Sequence, residues 1–249
     1  MSSILIHPDL VANITRQLPE DVTRLLQHIR SGICVAGGFC RDAFLGESPK
    51  DVDIFGTSQM IVEEAIDWFG WNCKEYEAGV RTANSRTFKP RYDHEVQPVQ
   101  FVERCYYPTH AELIESFDWS VCQCAVYFTQ EPHGDGHFEA ICTNAFGEDI
   151  QAGKLHYTAP ERDEDPGASI LRMVKLTHRG FKPTEDSIAR AIGRFAAELV
   201  KQETHLDDAF DKDMAPVTKE IEYSRKAKRC FRSCGYSWKH GRKGGQEDE

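Results

Sequence analysis

No run of apolar residues in this 249-residue chain approaches the roughly 18 needed to cross a bilayer, which excludes a spanning helix on sequence grounds. The first residues, Met1-Ser2-Ser3-Ile4-Leu5-Ile6-His7-Pro8, lack both a basic start and a long apolar core, so a secretory leader is not expected. Nine cysteines form no pattern, being odd in number and irregular in spacing. Cys34, Cys122, Cys124 and Cys142 lie in strand-like apolar runs and read as reduced core residues of a cytoplasmic protein. His94, His110, His133, His137, His156, His178 and His205 show no metal-binding spacing, and internal repeats are missing. Positive charge is short, with 30 Lys and Arg against 40 Asp and Glu, a net charge of −10. At 40% hydrophobic and 28% charged residues, the composition is that of an ordinary globular chain with room for one large or two small domains.

What is present is concentrated in one stretch. Ile33 to Ala36 predicts a short buried strand, Gly37-Gly38 a turn, Phe39 to Leu45 a helix of one to two turns, and Val52, Ile54 and Phe55 a second strand. Asp51 and Asp53 are two apart in an extended run, so both carboxylates face one spot. Paired anions call for a counter-charge, most simply a hard divalent cation bound through oxygen, Mg²⁺ or Mn²⁺. The glycines allow backbone N–H groups to approach a phosphate closely. Metal beside phosphate is the equipment of phosphoryl or nucleotidyl transfer.

Read without a gap, Gly37-Gly38-x-x-Arg41-Asp42-x-x-Leu45-Gly46-x-x-x-x-Asp51-x-Asp53 resembles the head of the CCA-adding tRNA nucleotidyltransferases and bacterial poly(A) polymerases, in the polymerase-β-like nucleotidyltransferase superfamily. The resemblance implies an α+β head, a mixed twisted sheet with flanking helices, followed by a helical neck-like domain. It implies that Gly37 and Gly38 hold the triphosphate of an incoming nucleotide, and that Asp51 and Asp53 bind the metal that activates an attacking hydroxyl. Arg41 and Asp42 match the family's R-D pair, either as nucleotide contacts or as an ion pair pinning the helix to the sheet.

Two further stretches extend the match. Phe117-Asp118-Trp119-Ser120-Val121-Cys122-Gln123-Cys124-Ala125 alternates like a strand, after a helix-like Ala111 to Ser116. It looks like the family's R-R-D-F-T-I-N-A element, with Ser116 and Phe117 in place of the arginines. Asp118 then either places the nucleotide ribose or caps an element. Asn144-Ala145-Phe146-Gly147, then Glu164, Asp165 and Arg172, and the Gly180-Phe181 turn resemble the family's neck. There Arg172 is implied to contact the base. Ser169 stands where the family has an arginine, so base choice is not carried over. On the strand expected over Val96 to Val102, the place of a third carboxylate falls to Gln100, with Glu103 or Asp118 as alternatives.

The expected organisation is a helical segment over 1–30, a nucleotidyltransferase head over 31–160, a neck-like helical domain over 161–232, and a flexible tail over 233–249 that is basic and then acidic. Ser58 to Phe69 predicts an amphipathic helix, and His133-Gly134-Asp135-Gly136-His137 a hairpin turn. From Ser224 to Gly244 there are eight Lys or Arg and no acid. Arg225, Lys226, Lys228, Arg229, Arg232 and Lys239 are interleaved with Phe231, Tyr236 and Trp238. Such a segment tracks a phosphate backbone and stacks bases, or else solubilises the chain or straps the acidic body. Cys230, Cys234 and His240 lack a fourth ligand for zinc.

The sequence thus points to a metal-dependent nucleotidyltransferase that transfers a nucleoside monophosphate from a nucleoside triphosphate to a hydroxyl. The acceptor expected is an RNA 3′ end, tRNA or tRNA-like, with release of pyrophosphate. Nucleotidylation of a protein or small molecule, and a non-catalytic nucleotide- or RNA-binding role, stay open.

Overall fold

The computed structural model describes residues 3–6, 8–92, 96–104, 106–130, 136–158 and 166–207. Glu164 and Asp165, the glycine turn at 131–135, the basic segment with Arg225, Lys226, Lys228, Arg229, Arg232 and Lys239, and the Cys230, Cys234, His240 set all lie outside the described residues.

The fold is α+β. Eight strands, β1 (Ser3–Leu5), β2 (Ile33–Ala36), β3 (Val52–Gly56), β4 (Tyr76–Arg81), β5 (Ser85–Pro90), β6 (Val99–Val102), β7 (Cys124–Thr129) and β8 (His137–Thr143), form one mixed sheet in the order β1-β8-β7-β2-β3-β6-β5-β4. Within this sheet, among the described residues, only the β3–β6 pair is parallel. The period of two sorts each strand between two faces. Ile33, Val35, Val52, Ile54, Val99 and Phe101 join one core, which is covered by α1 (Pro8–Thr15), α2 (Glu20–Ile29), α3 (Gly38–Phe44) and α4 (Gln59–Asn72). Cys34 and Ala36 point to the opposite face and pack with Leu113 and Ile114 of α5 (His110–Glu115).

Helix starts follow the sequence's polar caps. Ser58, Thr109 and Thr143 accept hydrogen bonds from the N–H groups of Ile61, Glu112 and Phe146, starting α4, α5 and α6 (Asn144–Ala152). Beyond β9 (Lys154–Leu155), the chain becomes mostly helical with α7 (Pro166–His178) and α8 (Glu185–Asp207). Between these helices β10 (Lys182–Pro183) pairs with β9 in a small parallel ladder, which helical periodicity does not signal.

Two segments differ from the sequence reading. Residues 1–30 are not wholly helical, because β1 adds an edge strand against β8, with Ser3 opposite Thr143. The strand expected across 117–125 begins only at Cys124; Ser120–Cys122 is a 3₁₀ turn. The reason is a set of buried polar anchors that break the ladder. The Ser120 hydroxyl donates to Asp149, Gln123 Nε2 donates to the Phe117 carbonyl at 3.2 Å, and the Thr143 hydroxyl donates to Gln123 Oε1 at 2.9 Å. Apolar alternation alone does not reveal those partners. The described cysteines, Cys34, Cys40, Cys73, Cys122, Cys124 and Cys142, are unbridged thiols, all but the half-buried Cys122 fully buried.

Candidate active site

The glycine turn sits where β2 ends. Gly37 adopts φ 80 and ψ −126, a conformation open to glycine and strained for other residues, and its N–H donates to the Cys124 carbonyl at 3.0 Å. A methyl group on Gly37 would meet the Phe117 ring at 3.7 Å. Gly38 is already helical, and a methyl there would rest against the Arg41 guanidinium at 3.6 Å, an ordinary contact.

Antiparallel pairing of β2 with β3 sets Val35 opposite Ile54, and continuing that register brings Ala36 beside Asp53. The glycine turn and the two aspartates therefore meet at one end of the sheet. Val52 and Ile54 are buried on the helical face, so Asp53 projects from the other face. Asp51 is exposed and Asp53 half-buried. Burial, and secondarily the charge of Asp51, push the Asp53 carboxyl up to about 7.

The neighbours of Asp53 are polar. Gln100 on β6 is its register partner, and Thr87 on β5 is the partner of Gln100, so the three form a row across adjacent strands. Gln100 thus occupies the position next to the carboxylates where a third acid was sought. Glu103 does not supply it. Its Oε1 accepts from Arg86 Nη2 at 3.1 Å, and Arg86 lies opposite Phe101, a residue of the helical-face core. Asp118 is also committed, since Arg172 donates to its Oδ2 through Nε at 2.8 Å and approaches the same oxygen through Nη2 at 2.7 Å. Among the described residues no three His, Cys, Asp or Glu side chains come together as a metal-binding group. The two carboxylate sets of hard oxygens at Asp51 and Asp53 still suit one hard divalent ion whose other positions are filled by water or phosphate.

Arg41 and Asp42 form an ion pair, Nε to Oδ1 at 2.8 Å and Nη2 to Oδ1 at 2.7 Å. Both are nearly inaccessible, at 6% and 3% exposure. The second carboxylate oxygen of Asp42 accepts from Arg179 Nη2 at 2.8 Å. Arg41 Nη1 also donates to Cys122 Sγ at 3.5 Å. Of the two sequence-level readings of the R-D pair, the geometry is that of an ion pair beside the turn, with the Arg41 guanidinium against Gly38.

Sequence reasoning did not single out Arg179, although it directly precedes the Gly180-Phe181 turn. It also missed the buried Asp149. That carboxylate takes the Ser120 hydroxyl and meets His156 Nδ1 at 2.7 Å, joining α6 to the turn before β7 and the segment after β9.

Residues 10–152 match the family described as Gad2, Gabija anti-defense 2 family protein. The chain belongs to this family. The matched span holds the glycine turn, both aspartates, Gln100 and Asp118, while Arg172 and Arg179 follow it. A comparison with curated proteins finds no match.

Among solved structures, this chain is similar to the Thermotoga maritima CCA-adding enzyme complexed with tRNA. The identity is 16% and the TM-score 0.54, over 80% of this chain and 47% of that one. A CCA-adding enzyme in complex with CTP gives 15% identity and a TM-score of 0.57, over 80% and 46%. A tRNA nucleotidyltransferase complexed with a primer tRNA and an incoming ATP analogue gives 16% and 0.51, over 86% and 64%. The chain thus spans about half the length of the two CCA-adding enzymes. At these identities the likeness establishes the fold alone, which the chain shares with these CCA-adding enzymes and this tRNA nucleotidyltransferase. No described helix is long and apolar enough to cross a membrane.

Proposed function

We propose that this protein transfers a nucleoside monophosphate from a nucleoside triphosphate to a hydroxyl group, releasing pyrophosphate. The observation that carries the reading is the meeting of the Gly37-Gly38 turn with Asp51 and Asp53 at one end of the sheet. In this reading Asp51 and Asp53 hold a divalent cation, Mg²⁺ or Mn²⁺, which when bound offsets phosphate charge and lowers the pKa of an attacking hydroxyl. Gly37, whose own N–H is bonded to the Cys124 carbonyl, shapes the turn, Gly38 presents its backbone N–H to the triphosphate, and the Arg41 guanidinium, paired with Asp42, lies beside Gly38. Asp118, held by Arg172, faces the nucleotide's sugar and base. The acceptor oxygen bonds to the α-phosphorus as the bridging P–O bond to the β-phosphate breaks. Pyrophosphate leaves, and the hydroxyl proton passes to water.

The acceptor in this reading is an RNA 3′ end, supported by the tRNA complexes among the fold's relatives and by the basic, aromatic segment over 224–244. A second reading, supported by the family's anti-defense description, places the acceptor hydroxyl on a Gabija protein. Purified protein is incubated with Mg²⁺ and each labelled triphosphate, alone, with total tRNA, or with purified Gabija proteins. Label at tRNA length that disappears with Asp51→Ala supports the first reading, and label on protein the second. No transfer under any condition would sink both.

The glycines make separable contributions. Gly38→Ala is expected to leave the melting temperature unchanged or slightly raised, since alanine in a helix is favoured over glycine by up to about 1 kcal/mol and its methyl group meets only an ordinary contact. If phosphate oxygens approach the Gly38 backbone, the same change raises KM for the triphosphate on the order of tenfold. Thermal melting and steady-state kinetics on one preparation check both halves.

A further inference from the structure

One stripe of α7 and the turn after it meets the head. Ser169, Arg172, Leu176 and Arg179 recur at helical spacing on one side. Trp119 Nε1 donates to the Ser169 carbonyl at 3.1 Å, Arg172 holds Asp118, Leu176 is buried, and Arg179 holds Asp42. Arg179 lies one residue beyond α7, where Gly180 at φ 97 reverses the chain and the N–H of buried Phe181 returns to the Leu176 carbonyl at 3.2 Å. That turn fixes the origin of the Arg179 side chain.

The site that Arg179 reaches already has its charge balanced. Buried Asp42 has a full partner in Arg41, so charge neutrality does not require a second guanidinium. Arg179 nevertheless arrives from 137 residues further along the sequence and takes the remaining oxygen. The resulting Arg41–Asp42–Arg179 set carries one net positive charge directly behind Gly38. Exposed Glu47, 3.7 Å from Arg179, offsets this only at the solvent side. An anion at the glycine turn would be favoured by that charge.

We propose that Arg179 is a positioning residue for the triphosphate, acting through Asp42 and Arg41 to hold the Gly37-Gly38 turn and to leave it electropositive. This deepens the reading that the turn binds a nucleoside triphosphate, and rests on it. The helical segment thereby becomes part of the phosphate grip, beyond its contacts through Asp118.

The test compares wild type, Arg179→Gln and Arg179→Lys by calorimetric titration with the triphosphate that wild type binds most tightly, and with the corresponding nucleoside monophosphate. Arg179→Gln is expected to weaken triphosphate binding about tenfold and monophosphate binding much less, with KM rising more than kcat falls. Arg179→Lys is expected to recover part of the loss. Equal triphosphate affinity in wild type and Arg179→Gln overturns the proposal while leaving the nucleotidyl-transfer reading intact. An equal loss for both ligands, accompanied by a lower melting temperature, likewise overturns it in favour of a purely structural role. Failure of wild type to bind any triphosphate overturns the reading and this proposal together.

Discussion

Asp53→Asn is expected to abolish nucleotidyl transfer, by at least about a thousandfold, while making the metal-free protein more stable. Loss of transfer follows from removing one of the two carboxylates proposed to hold a cation at the glycine turn. The gain in stability follows from where that carboxyl sits. Its value in the folded chain, about 7, lies above the ordinary 3.8. Folding therefore disfavours the charged form, and the penalty is absent below the ordinary value. It grows as pH rises through the interval from about 4 to 7 and is constant above it. Asparagine keeps the shape and removes the charge. After discounting for the solvent near a half-buried group, the gain at pH 8 is on the order of 2 kcal/mol, shrinking towards zero near pH 4. Chemical denaturation of both proteins at pH 5 and pH 8, without divalent metal, reads this difference directly. A variant less stable than wild type at pH 8 would show that the Asp53 carboxylate is compensated by partners.

The second large effect is expected at Asp42. Asp42→Ala leaves the Arg41 guanidinium at 6% exposure without its counter-charge and frees Arg179 from its main anchor. Breaking one side of a buried ion pair costs about 3–5 kcal/mol, a large part of the stability of an ordinary domain. The melting temperature should fall by roughly 10 °C or more. Asp42→Asn keeps one acceptor oxygen and is expected to lose less. If Asp42→Ala melts like wild type, the guanidinium must have moved into water, and the ion-pair account of α3 would be wrong. Because Asp42→Ala acts on folding, it does not report on nucleotide grip, for which Arg179→Gln is the cleaner probe.

How far these features were readable in the sequence depends on whether their signals are local. β2 coincides with the predicted Ile33 to Ala36, and α3 lies within a residue of its predicted span, because a four-residue apolar run bounded by glycines leaves few alternatives. Gln100 beside Asp53 was legible because strand alternation fixes which residues share a face. The 3₁₀ turn at Ser120–Cys122 was not, since its cause is a hydrogen bond to Asp149, 29 residues away. Glu103 looked available from its place after β6, yet an arginine on the neighbouring strand had taken it. Arg179 and Asp42 form the same kind of long-range pair, across 137 residues. Alternation and caps are written within a few neighbouring positions, whereas ion pairs between distant segments are decided by tertiary packing.

The pairing of β1 with β8 has a consequence for how the chain is made. Ser3 lies opposite Thr143, so the first strand leaves the ribosome about 140 residues before its partner. At 5–20 residues per second that is a wait of roughly 7–28 s. Asp42 waits a similar interval for Arg179. A nascent chain halted before α7 would lack the Arg179 bond to Asp42, so the ion-pair set beside the glycine turn is completed only after α7 has been made.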